Sequence, residues 1–160
     1  MDKEKIERYS FKVTQANRTQ LVVIVYDIIM DDLRTAKESY ADHRIDEFVK
    51  SLKHGQKFLI ELMRTLDCQY QISLDIMSLY LYINKKIIQA MIQRKPDALE
   101  GLEDILLKLR SSFDIISRTD YSGPVMQNTE QVYAGLTYHK GNLNEAYLDA
   151  GNQIMRGFTV

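Results

Sequence analysis

The chain has 160 residues, with 21 Lys and Arg against 22 Asp and Glu, and 45% of its side chains are hydrophobic. That suffices for one domain with its own core and is short for a two-domain enzyme, while balanced charge supplies no overall basic field for a phosphate backbone and so argues against nucleic acid. No apolar run approaches the ~20 residues of a membrane span, Met1-Asp2-Lys3-Glu4-Lys5 lacks the apolar stretch of a secretory leader, and Cys68 has no second cysteine to pair with. A cytoplasmic protein without membrane insertion is expected.

An N-terminal arm precedes four periodic segments. The first segment spans about residues 18–40, with Asn17 and Gln20 spaced as a capping box. Asn17-Arg18-Thr19 also spells a glycosylation sequon, but a cap is the better reading of a chain that carries no leader. The second segment spans about residues 45–66, with Asp46 and Glu47 placed to complement the helix dipole. The third spans about residues 73–94, acidic at its start through Asp75 and basic toward its end through Lys85, Lys86 and Arg94. The fourth starts at Pro96 or Asp97 and continues to about Ser117.

Helices of this length joined by a few residues must run as antiparallel neighbours, so the expected fold is all-α, an antiparallel up-down four-helix bundle over residues 1–120. After residue 120 the composition changes: Gly123, Pro124, Gly135, Gly141, Gly151 and Gly157 crowd a stretch with few charges. Residues 121–160 therefore read as a tail of little regular structure.

Two of the helices carry more apolar surface than a bundle core absorbs. On the first, Asp27, Asp31, Arg34 and Glu38 share one narrow polar arc, and Leu21 through Tyr26 with Ile28 and Ile29 fill most of the rest. On the third, Leu74, Met77, Leu81, Ile88 and their apolar neighbours occupy about 220° of the circumference. Leaving five or six such residues wet forgoes on the order of 10 kcal/mol, comparable with the whole stability of a domain. Either the helices are central, or the tail covers them, or another protein does.

The sequence carries no specific signature of catalytic or metal chemistry. His43, His54 and His139 have no Glu three residues earlier, so no metal site is expected. Cys68 lacks an adjacent cation and reads as a semi-buried, inert thiol. The pairs Asp31-Asp32 and Glu103-Asp104 read as exposed helix charge, with Arg34 and Lys108 within reach. No phosphate-binding loop or nucleophile elbow is present, so neither an enzyme nor a cofactor is expected.

Several motifs, in order, resemble the FliS family of flagellin export chaperones. They are Tyr9-x-x-x-Val13 with Ala16; Leu21 through Asp27; Gln56 with Glu61-Leu62-Met63 and Thr65-Leu66-Asp67; Ile72-Ser73 with Leu79-Tyr80-x-Tyr82-Ile83-Asn84; and Leu106-Leu107-x-Leu109-Arg110. The chain departs from that pattern at Gln15-Ala16-Asn17-Arg18, where the family commonly has a proline, and at Phe113, where it often has Trp. The resemblance implies a chaperone that holds the C-terminal segment of flagellin and prevents premature polymerisation, with export-gate components as further partners. The groove contacts it suggests are Leu21, Val25, Ile28, Leu74, Met77, Leu81 and Ile88. Tyr9 and Val13 of the arm, or Val132, Leu136, Leu143 and Tyr147 of the tail, would cover that groove when it is empty. The free protein is expected to be a monomer or weak dimer, and a self-associating structural bundle is the rival reading.

Overall fold

A computed structural model describes residues 3–126. Contacts divide the chain into Met1–Gln127 and Asn128–Val160; the tail positions Val132, Leu136, His139, Leu143 and Tyr147 lie outside the described residues. Among the described residues the secondary structure is helical throughout: α1 (Lys3–Gln15), α2 (Arg18–Ala41), α3 (Ile45–Thr65), α4 (Gln71–Gln93) and α5 (Leu102–Ser117), with a 3-10 turn at Asp97–Leu99. The fold is all-α.

Local chemistry explains where the helices begin and end. The Asn17 side chain accepts from the Gln20 backbone N–H at 2.8 Å, and the Gln20 side chain accepts from the Asn17 N–H at 3.0 Å, so α2 opens on a complete capping box. α4 ends at Arg94 in the left-handed region, φ 52°, where its N–H bonds the Ala90 carbonyl. The sequence suggests one helix from Pro96 onward, but the chain breaks at Glu100, which is extended, and at Gly101, with φ 73°. A side chain there would be strained, and α5 starts only at Leu102. The arm is the other difference, since its 13 residues form the regular helix α1.

α2 is the centre of the body. Tyr40 packs at a tilt against Phe48 and Asp32 bonds His54, so α3 runs antiparallel to α2. Lys37 pairs with Glu103, Asp27 with Arg110, and Tyr26 with Phe113, so α5 also runs antiparallel to α2. Gln56 bonds Asn84 at 2.8 Å and links α3 to α4. The main core gathers Ile29, Leu33, Phe48, Leu52, Leu59, Ile83, Ile87, Leu102 and Leu106, all at or near zero exposure. The buried Tyr26 and Tyr80 hydroxyls bond each other across it, and burial pushes both phenols above their ordinary pKa. Where α2 and α3 cross, a Cβ on Gly55 would stand 3.2 Å from the Asp32 Cβ.

Candidate functional site

Among the described residues, two apolar surfaces open to solvent lie on different parts of the body. The first is a groove of about 650 Å³ floored by Leu21, Val22 and Val25 of α2, Leu62 of α3 and Leu66 just after it, Tyr80 of α4 and Phe113 of α5, with Arg18, Glu61 and Thr65 among its polar members. Its α2 residues are half-buried: Val22 shares the core arc of Tyr26, Ile29 and Leu33, Val25 and Leu21 lie progressively to one side of it, and Val22 and Val25 also pack against the main core. The second surface is a stripe along α4. At 100° per residue Leu74, Leu81, Ile88 and Ile92 fall within about 40° of one another, and Met77 flanks them toward the core. Leu74 is 44% exposed, Leu81 55% and Ile88 37%, whereas Met77 is half-buried.

The structure thus brings Leu21 and Val25 into the groove and sets Leu74, Leu81 and Ile88 on the open face of α4. Ile28 belongs to neither. It is 6% exposed, packed with Ile24, Ala16 and Tyr9 in a small second core beneath α1, with Val13 half-buried beside them. A polar clamp holds α1 there: the Tyr9 hydroxyl donates to Asp31 Oδ2 at 2.7 Å, and Arg8 reaches the same carboxylate at 3.1 Å. Burial and the bond to Asp31 push the Tyr9 phenol up to about 12.

A strap after α5 borders the groove from the other side. Asp120 accepts from the Thr19 hydroxyl at 2.7 Å and from the Ser122 N–H and hydroxyl, and its backbone carbonyl accepts from the Asn17 amide at 2.9 Å. The bonds from Ser122 and Thr19 hold the Asp120 carboxyl at about 2. Further on, the Val125 N–H donates to the Ala16 carbonyl at 3.1 Å, which seats the Val125 side chain in the groove wall.

Several residues depart from the sequence reading. Asp32, expected at the surface, is 5% exposed and bonds His54 Nδ1 at 2.6 Å; desolvation raises its pKa although His54 opposes the shift. Asp31 is half-buried in the α1 clamp, and Glu103 pairs with Lys37 rather than Lys108. Cys68, expected half-buried, is exposed in the α3–α4 connection. Among the described residues no group of His, Cys, Asp and Glu is placed to hold a metal ion. None of their helices is long and apolar enough to cross a membrane. Periodicity alone did not single out Val22, Tyr80 and Phe113 as groove residues. Nor did it mark the exposed Leu107, Ile115 and Ile116 of α5; Leu107 and Ile115 stand off the arc of the buried Leu102 and Leu106, and Ile116 borders that arc at the end of the helix.

The model of the family described as Flagellar protein FliS matches residues 4–120, from the start of α1 through all of α5. The chain belongs to the FliS family. No curated protein matches it. The FliS match takes in the α1 clamp, the groove floor and the open face of α4, so all three lie within the part of the chain that the flagellar family shares.

Proposed function

We infer that this FliS-family chain is an export chaperone that binds the C-terminal segment of flagellin on its apolar surfaces and keeps it from polymerising before secretion. The observation that carries the reading is the open face of α4, where Leu74, Leu81 and Ile88 stand exposed along one stripe of a helix whose opposite side is core. An amphipathic segment folding onto that stripe would bury large apolar side chains at ~1.5–3 kcal/mol each, the usual helix-in-groove arrangement. Membership in a flagellar family supplies the class of partner. Neither catalysis nor a cofactor enters this reading.

In this account α2 to α5 form the antiparallel up-down bundle, the protein works in the cytoplasm as a monomer or weak dimer, and export-gate components meet the loaded complex. The site comprises Leu21 and Val25 in the groove with Leu74, Met77, Leu81 and Ile88 on α4. Ile28 joins it only when α1 lifts away, which makes Tyr9 and Val13 the covering residues. A segment that orders on docking can be stripped off again at the membrane, because ordering entropy offsets part of its contact energy.

The test is binding of a flagellin C-terminal peptide followed by fluorescence anisotropy. Leu74→Glu and Leu81→Glu should each weaken binding at least tenfold, about 1.4 kcal/mol, with helical content unchanged by circular dichroism. Full affinity in both variants would remove α4 from the site. A stable dimer that ignores the peptide would favour the self-associating bundle.

A further inference from the structure

We propose that the cleft between α3 and the C-terminal end of α4 is a second docking surface, fitted to an acidic helical segment of a partner protein. Lys50, Lys53, His54 and Lys57 of α3 and Arg94 of α4 line a cleft of about 550 Å³ with Val49, and Asp46 is the lone acid among them. On the helical wheel Lys50, Lys53 and Lys57 fall within about 60° of one another. That arc lies opposite the buried Leu52, Gly55 and Leu59. Among the described residues neither these three lysines nor Arg94 makes an ion pair; Lys5, Lys12, Arg18, Lys85, Lys86, Lys95 and Lys108 make none either, and what distinguishes the four is that one cleft gathers them. In a chain of net charge −1 this is a local concentration of cations, and such a cleft focuses field on an incoming anion.

The spacing selects the occupant. Lysines three and four residues apart span about 10 Å along α3, the distance over which carboxylates at matching intervals line one face of a partner helix. Half-buried Val49, at the edge of the lysine arc, gives that partner an apolar contact beside the charges. The one ring in the lining, His54, is tied to Asp32 and set edge-on to Phe58, so the cleft has no aromatic platform for successive bases, which disfavours single-stranded nucleic acid. Arg94 adds a second sign of specialisation. Its left-handed backbone is a position where glycine is the ordinary helix terminator, and here it puts a guanidinium on the cleft wall.

The probe is a labelled 14-residue helix-forming peptide with Glu on one face at positions i, i+3 and i+7, titrated with the full chain at low salt. A control peptide has the same composition with its Glu residues spread round the helix. The matched peptide should bind at least tenfold more tightly than the control, and the exposed double variant K53E/K57E should lose at least tenfold while keeping its circular dichroism. Equal affinity for the two peptides, or no change in K53E/K57E, would overturn the proposal. So would tighter binding of a single-stranded oligonucleotide of the same charge. The assay uses no flagellin, so the apolar-surface reading can fail without affecting it.

Discussion

α2 and α4 look alike in sequence and fare differently in the fold. Both carry an apolar arc too wide for one side of a bundle, yet α2 is wrapped by α3 and α5 and roofed by α1, so that ten of its residues are buried. α4 buries Ser73, Tyr80, Ile83, Ile87 and Ala90 on one side and leaves Leu74, Leu81, Ile88 and Ile92 in solvent on another. An apolar surplus therefore means centrality in one helix and an unfilled contact in the other. What separates them is the number of neighbours each helix acquires, which no stretch of local sequence reports.

The contrast can be broken first by truncation. Leu33→Ala in α2 should cost about 2–5 kcal/mol in urea unfolding, because Leu33 is 1% exposed. Leu81→Ala in α4 should stay within about 0.5 kcal/mol; similar losses at both sites would abolish the distinction. Next comes the α2–α3 crossing, where Gly55→Leu would drive a side chain into Asp32 and should cost about 1–3 kcal/mol through overpacking. The roof over α2 gives a smaller effect. Tyr9→Phe removes the bond to Asp31, worth about 1 kcal/mol, so amide exchange within α1 should quicken about fivefold while the α3 amides stay protected.

The smallest effect concerns the strap. The Asp120 carboxyl titrates at about 2 in the folded chain against an ordinary 3.8. A lowered folded pKa means a contribution fully present above the ordinary value and lost as pH falls through the folded one. The gap in melting temperature between the parent chain and Asp120→Asn should therefore narrow between pH 4 and pH 2. A gap that is constant across that window would show that the charge of Asp120 is not what fastens the strap.

Much of the framework was legible from residue pattern. Asn17 and Gln20 announced their capping box, and the 3.6-residue period located α2, α3 and α4 to within a few positions. The break at Gly101 was missed because Asp97-Ala98-Leu99-Glu100 reads as a helix start until the glycine's backbone is seen. The burial of Asp32 was equally hidden, because it depends on His54, 22 residues away. The groove was half legible. The breadth of the α2 apolar arc was visible in the sequence, whereas Leu21 and Val25 were suggested by the family resemblance, and Tyr80, Phe113 and Val125 enter the groove only through the packing of three separate segments.

The paired tyrosine hydroxyls in the interior carry a consequence for how this family can vary. Tyr26 and Tyr80 each answer the other's polar group, and no buried side-chain nitrogen or oxygen among the described residues lacks a partner. Replacing one by Phe strands a hydroxyl away from water at about 1–3 kcal/mol, whereas replacing both can be nearly neutral. Drift at these two positions should therefore proceed by joint exchange, with mixed Tyr and Phe pairs scarce among relatives that keep this interior.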